Sequence, residues 1–232
     1  MVDVLGFDAD DTLWHNERHY RHAQKQLEEL LHPYASPERV QEVLLEHEHA
    51  NIPFYGYGVK GFVLSMIETM LELSHDAIPA ADIGKIVAQA RHMLSVDVEL
   101  MPGVSTLLED LSDSYDILVI TKGDLLDQRS KMDRSGLGKY VSRIEVISEK
   151  TPAAYREVLT RHNIQPDQFI MVGNSLRSDI LPVLEIGGGA VYIPSELQWD
   201  HELVEDPHLD GYHQLESIRE LPSLLALLDS RT

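Results

Sequence analysis

The hydrophobic pattern changes period twice along this chain. Residues 2–8 are mostly apolar (Val2, Val4, Leu5, Phe7) and too few for a helix, which predicts a buried strand. From about residue 16 to 98 the apolar positions return at helical spacing instead. Tyr20, Ala23, Leu27, Leu30, Leu31 and Tyr34 form one such stripe, and Val40, Val43 and Leu44 begin a second. The second starts at Ser36-Pro37-Glu38, with Ser as cap, Pro in the first turn and an acid beside it. Val63, Met66, Ile67 and Met70 mark a third helix, and Ile83, Ile86, Val87, Ala90 and Leu94 a fourth. Residues 16–98 therefore read as an all-helical, four-helix insert.

After Met101-Pro102-Gly103 short apolar runs alternate with helical stripes. Val104, Leu107, Leu108 and Leu111 predict a helix, and Tyr115–Ile120 a strand ending at Thr121. A helix near 125–134 and a strand at Ile144–Ile147 follow, then a helix from Pro152 to His162 and a strand at Phe169–Val172. A helix over 179–186, a strand at Gly189–Ile193 and a last helix at Leu221–Leu228 complete the series. Strands alternating with helices imply an α/β fold with a parallel sheet. The organisation expected is a core of residues 1–15 and 99–232 interrupted by the helical segment 16–98. Residues 195–216 are acidic, aromatic and irregular, and no element is assigned to them.

Charge narrows the functions. Among 232 residues, 39 are Asp or Glu and 19 are Lys or Arg, a net charge of −20, which argues against nucleic acid as a partner. An anionic substrate would need a local cation, either a metal, a Lys or a helix N-terminus. The chain has no Cys, which excludes disulfides, thiol catalysis and thiolate metal sites. No basic region precedes the first apolar stretch, as a secretory signal would require, and no apolar run approaches the ~20 residues of a membrane span. The expectation is a cytoplasmic protein without a membrane partner. Composition says nothing of its oligomeric state.

The candidate chemistry lies where strands end. The first strand runs into Asp8-Ala9-Asp10-Asp11-Thr12, two carboxylates two residues apart with a Thr two later. Ligands of open α/β sheets bind beyond the strands' carboxyl ends. Two carboxylates there can hold a hard cation, or divide the work of nucleophile and acid–base. Asp11 reads as a turn or capping residue. The second strand ends in Thr121-Lys122-Gly123, a hydroxyl followed by a glycine that lets backbone N–H groups approach an anion. Lys150 sits in the loop before the helix that begins at Pro152, and Gly173-Asn174-Ser175-Leu176-Arg177-Ser178-Asp179 follows the next strand.

Taken in this order, Asp-x-Asp-x-Thr, the strand-terminal Thr, the loop Lys and the Gly-Asn-Ser-x-x-x-Asp loop resemble the four motifs of the haloacid dehalogenase-like hydrolases. The resemblance runs from residue 4 to about 194. It implies a Rossmann-like core whose helical insert acts as a cap. It also implies that Asp8 attacks phosphorus to give an aspartyl phosphate. Asp10 would protonate the leaving oxygen and later deprotonate water, while Thr121 and Lys150 stabilise the transferring oxygens. A Mg²⁺ cofactor would be held by Asp8, Asp179, Asn174 and the backbone carbonyl of Asp10. The chain departs from the family pattern at Asn174, where an Asp is usual. An acid at position 10 favours the phosphatase and mutase branches, since a halide or phosphonate carbon needs no such proton donor.

The expected partner is a small phosphorylated metabolite, recognised by Thr121, Lys122, Gly123 and Lys150 and, within the insert, by Tyr55 and Lys60. The segment Asn51–Gly61 reads either as a packed interhelical turn or as a substrate-facing loop. His15 is equally open, as a hinge residue or as an edge of the site. Three functions remain open on the sequence: a Mg²⁺-dependent phosphatase, a phosphomutase on a sugar phosphate, and a non-catalytic phospho-ligand-binding protein.

Overall fold

The opening apolar run becomes β1 (Val4–Phe7), and every residue of it is buried. The computed structural model describes residues 2–195, 197 and 211–230. Two compact units result. The first takes in the described parts of Met1–Glu17, Val98–Lys122 and Gln128–Thr232, the second Arg18–Asp97 and Gly123–Asp127. The sequence reading drew the boundaries differently: it placed residues 16, 17 and 98 in the helical insert and Gly123–Asp127 in the core.

In the first unit β1 is flanked by β2 (Asp116–Lys122) and β4 (Phe169–Gly173). Outside these lie β3 (Arg143–Ile147), β5 (Gly189–Tyr192) and a two-residue β6 (His213–Gln214), giving the order β3-β2-β1-β4-β5-β6, parallel throughout. Successive residues of each strand face opposite sides. Leu5, Phe7, Ile117, Val119, Ile170, Val172 and Val191 share one core cluster with residues of α5 (Val104–Ser112) and α9 (Leu221–Asp229). Val4, Leu118, Ile120, Phe169 and Met171 share another with Tyr155, Val158 and Leu159 of α7 (Pro152–Arg161). Both faces are covered, which is why these strands read as continuous apolar runs.

Helix α6 (Leu125–Ser135) follows β2, and its first turn is capped by Asp124, whose Oδ1 accepts from the Asp127 N–H at 3.0 Å. The expected helix over 179–186 begins earlier, as a π-helical turn at Leu176–Ile180 continuing into α8 (Leu181–Glu185). β6 was not expected; it falls in the stretch read as irregular, and most of 195–216 lies outside the described residues.

The second unit contains α1 (Glu17–Leu31), α2 (Pro37–Tyr55), α3 (Val59–Ser74) and α4 (Ala80–Ser95). Their stripes meet in one cluster, including Ala23, Leu27, Leu31, Val40, Leu44, Phe62, Met66, Met70, Ile86 and Met93. Ser36 caps α2 with Pro37 in its first turn, as the sequence indicates. The segment Asn51–Gly61 is not an extended loop. Helix α2 continues through Pro53, which lies in its last turn, and α3 starts at Val59, leaving only Gly56–Gly58 between them. Asn51 supports the continuation: it is buried, and its amide donates to Ser65 Oγ at 3.1 Å and Glu68 Oε2 at 2.6 Å. Among the described residues no helix is long and apolar enough to cross a membrane.

Two glycines give opposite expectations. A Cβ on Gly6 would lie 2.4 Å from the Phe169 ring and 3.0 Å from Met171 Sδ, in the buried face of β1. Gly6→Ala should destabilise the first unit by about 1–3 kcal/mol through overpacking. A Cβ on Gly84, inside α4, meets nothing within 4 Å. Gly84→Ala should stabilise the second unit by about 0.5–1 kcal/mol. Urea unfolding of both variants checks this; a neutral Gly6→Ala would mean that the Phe169 ring can move aside.

Candidate active site

Strands β1 to β4 deliver four loops to the carboxyl end of the sheet. β1 ends at Phe7 and Asp8 follows it, with the Asp8 N–H donating to the Val172 carbonyl of β4 at 2.9 Å. The chain then folds back: the N–H groups of Thr12, Leu13 and Trp14 all point to the Ala9 carbonyl. Asp11 makes this turn, at φ 59°, and its carboxylate accepts from the Asn16 and Glu17 N–H groups at 2.9 Å each, capping α1. That is the turn and capping role read from the sequence. Burial raises the Asp11 carboxyl to about 6, opposed by those two N–H groups.

The geometric centre of the site is Lys150. Its Nζ donates to Asp8 Oδ1 and, at 2.6 Å, to Asp179 Oδ1, and all three side chains are buried. Asp179 reaches this position because Gly173 lacks a side chain: a Cβ there would sit 2.3 Å from Asp179 Oδ2. The second Asp179 oxygen accepts from the Ser175 N–H at 3.0 Å, and Ser175 Oγ accepts from the Ser178 N–H at 3.0 Å. Thr12 Oγ1 lies 3.3 Å from both Asp8 Oδ2 and Asn174 Oδ1, so it joins the first loop to the fourth.

One ammonium thus faces two carboxylates out of water. Burial raises the Asp8 carboxyl to about 7; Lys150 opposes this, and the like charge of Asp179 adds to it. Burial works against the Lys150 charge as well, but Asp179 and Asp8 outweigh it and hold the ammonium well above its usual range.

Asp10 has a different environment. Its Oδ1 accepts from Trp14 Nε1 at 2.7 Å and Lys131 Nζ at 3.1 Å, and its Oδ2 from Gln128 Nε2 at 2.7 Å. Thr121 is buried at the end of β2, its hydroxyl directed to the Lys122 carbonyl at 3.1 Å. Lys122 Nζ donates to Ser178 Oγ at 3.1 Å.

Asp8, Asp10, Thr121, Lys122, Lys150, Asn174 and Asp179 all belong to the first unit. Of these, direct hydrogen bonds join Asp8, Lys150 and Asp179. Tyr55, Lys60 and Gly123 belong to the second unit. There Lys60 Nζ pairs with Asp124 Oδ2 at 2.9 Å, an engagement the sequence reading did not foresee. Tyr55 is half exposed at the end of α2. The sequence reading quoted Thr12 within the first motif without giving it a role, and passed over Gln128 and Lys131. Thr12 stands within the first motif and was open to notice. The signal for the others is slight, two polar residues three apart on one helix face.

Among the described residues no three His, Asp or Glu side chains converge as a metal cage. The oxygens that could take a hard cation are Asp8 Oδ2 and the Asn174 carbonyl, which share the Thr12 hydroxyl as neighbour. Both Asp179 oxygens are already engaged by Lys150 and the Ser175 N–H.

Comparison with known proteins identifies the family. The family pattern of haloacid dehalogenase-like hydrolases matches residues 2–187. A glyceraldehyde 3-phosphate phosphatase of Pyrococcus furiosus is 23% identical, over 98% of this chain and 93% of its own length. A haloacid dehalogenase-like family hydrolase of Xanthomonas campestris is 39% identical with a TM-score of 0.88, covering 99% of this chain and 93% of that one. A HAD hydrolase of Bacillus subtilis, solved with bound magnesium, shares the fold at 17% identity and a TM-score of 0.69, covering 97% of this chain and 98% of its own.

The raised Asp8 carboxyl has a measurable consequence. Between its unfolded value near 3.8 and its folded value of about 7, the native state holds a proton that the unfolded state has lost. This contribution to stability is complete below pH 3.8 and disappears as pH rises through about 7. In chelator, wild type should lose stability relative to Asp8→Asn between pH 5 and pH 7.5, as read by urea midpoints. Parallel pH profiles for the two proteins would mean that Asp8 is ionised across the whole range.

Proposed function

Because the chain belongs to the haloacid dehalogenase-like hydrolase family, we propose that it is a Mg²⁺-dependent phosphatase acting on a small phosphorylated metabolite through an aspartyl phosphate on Asp8. The observation that carries this reading is the buried Lys150 gripping Asp8 and Asp179 at the carboxyl end of the central strands. Phosphatase relatives and a magnesium-bound structural neighbour add support.

The donor set fits the metal. Asp8 and Asn174 offer hard oxygens close together, and one Lys against two buried carboxylates leaves room for further positive charge. Asp8, Asn174 and the Asp10 backbone carbonyl would hold Mg²⁺, with Asp179 contributing from beyond Lys150. When bound, Mg²⁺ supplies charge neutralisation between nucleophile and phosphate.

The protein's own groups then divide the reaction. Asp8 Oδ forms a bond to phosphorus as the bond to the leaving oxygen breaks, and the Asp10 carboxyl passes its proton to that oxygen. In the second half Asp10 takes a proton from water as the water oxygen displaces Asp8 and releases inorganic phosphate. Lys150 orients Asp8 and, with the Thr121 hydroxyl and Lys122, faces the transferring oxygens. Thr12 fixes the Asp8 carboxylate against rotation. Tyr55, Lys60 and Gly123 serve recognition of the leaving group, and the Lys60 charge is shared with Asp124.

A screen of phosphorylated metabolites, with Mg²⁺ and with chelator, tests the reading through release of inorganic phosphate. This readout also separates hydrolysis from a mutase, which would return the phosphoryl group to the sugar. Asp8→Asn should abolish turnover on any substrate found, by several orders of magnitude, while remaining folded. Acid quench of wild type should trap a phosphoenzyme that this variant does not form. Turnover by Asp8→Asn at the wild-type rate would remove Asp8 as nucleophile.

Residue 174 gives a separate check on the metal. Asn174→Asp adds a charge beside a divalent ion and should tighten Mg²⁺ binding in calorimetric titration. Equal or weaker binding would place residue 174 outside the reach of the metal.

A further inference from the structure

The Asp10 carboxylate is held by three donors, and two of them come from one face of α6. Gln128 and Lys131 lie three residues apart, so their side chains project from the same side of the helix. Both are almost fully buried, at 2% and 7% relative exposure. A Lys in the first turns of a helix after a strand is ordinarily a solvated residue, and burying its ammonium is costly unless it is paired and hydrogen-bonded. Here Lys131 Nζ is aimed inward, at Asp10 Oδ1 (3.1 Å) and Asn16 Oδ1 (2.8 Å). Gln128 Nε2 donates to Asp10 Oδ2 at 2.7 Å and to the Lys122 carbonyl at 3.2 Å. The Asp10 side chain keeps 25% of its surface exposed, whereas its clamps are enclosed.

The lone pairs decide which oxygen can work. A carboxylate offers about two acceptor positions on each oxygen. Oδ1 has both occupied, by Trp14 Nε1 and Lys131 Nζ. Oδ2 has one occupied, by Gln128 Nε2. The remaining position on Oδ2 is the place for a proton.

We infer that Lys131 and Gln128 are positioning residues that fix the Asp10 carboxylate so that Oδ2 carries the proton to and from the substrate. The inference rests on the phosphatase reading and adds two residues to it that touch Asp10 and do not touch the reacting phosphorus. In the first half-reaction the Oδ2 proton moves to the leaving oxygen as the P–O bond breaks. In the second, a water proton returns to Oδ2 as the new P–O bond forms. Lys131 and Gln128 exchange no proton in either step. Their effect is on placement, and a misplaced general acid forfeits its contribution.

The test uses a series of substituted phenyl phosphates, from nitrophenyl to methoxyphenyl, which differ chiefly in how much the leaving oxygen needs a proton. The value of kcat/KM reports steps through formation of the phosphoenzyme. Lys131→Met, close in size and without charge, should lose roughly 10²–10⁴-fold in kcat/KM on methoxyphenyl phosphate, the usual worth of general acid catalysis. It should lose less than about tenfold on nitrophenyl phosphate, whose oxygen leaves without help. The dependence of rate on leaving group therefore steepens. Lys131→Arg, which keeps a cation donor, should restore much of the wild-type slope, and Gln128→Leu should steepen it independently, so a folding failure in one variant does not remove the test. Equal losses across the series, or none, overturn the inference while leaving the phosphatase reading in place. A wild-type protein that hydrolyses no member of the series, with Mg²⁺ present, takes down both.

Discussion

The site depends on one buried ammonium shared by two buried carboxylates. Lys150 holds Asp8 and Asp179 together from three different loops, and no member of the trio is free to leave its partners without exposing an unpaired charge in a dry environment. With all three groups ionised the trio carries one net negative charge; burial raises the Asp8 carboxyl to about 7 against the pull of Lys150, and the like charge of Asp179 adds to it. A site in this condition favours additional cations and disfavours additional anions. The oxygens of Asp8 and Asn174 lie where such a cation could be taken.

The surrounding fold exists to bring the trio together. Asp8 is fixed because β1 is the centre of the sheet, with β2 on one side and β4 on the other. Its backbone N–H is tied to Val172 at the same level where β4 gives way to the Gly173 loop. Gly173 must lack a side chain, since the Asp179 carboxylate occupies the space where one would be. The π-helical turn at Leu176–Ile180 then carries Asp179 back over the strand end, with Ser175 as its cap. A wider turn of this kind at a functional loop is a common way to aim one side chain without disturbing the helix that follows.

Much of this was legible in the sequence, for identifiable reasons. The strands were visible because parallel strands buried on both faces have no polar alternation to obscure them. The four loops were picked out by the order of their motifs, since a Thr at a strand end or a Lys in a loop has ordinary structural uses on its own. Lys150 could be located, but not its two partners, because pairing across 142 and 29 residues is a product of topology and leaves no trace in local spacing. The segment Asn51–Gly61 was misjudged in extent: three glycines and a proline argue for a loop, yet buried Asn51 and the packing of α2 on α3 keep the helix going to Tyr55. Tertiary burial overrode local preference there. Lys60 was read as a substrate-binding residue without a partner in view, since Asp124 lies 64 residues away in sequence.

The two acids of the first motif show how environment assigns chemistry to identical side chains. Asp8 is buried and shares the Lys150 ammonium with Asp179, and its second oxygen accepts from the Thr12 hydroxyl at 3.3 Å. That oxygen is lightly held, as the proposed role of Asp8 as nucleophile would require. Asp10 lies two residues on, partly open to solvent, with three donors gripping it at 2.7–3.1 Å. A carboxylate so held would lose those hydrogen bonds in attacking phosphorus, which suits the proposed acid–base role better than that of nucleophile. The division of labour is therefore not contained in the Asp-x-Asp spacing itself. It comes from Lys150 and Thr12 on one side, and from Trp14, Gln128 and Lys131 on the other.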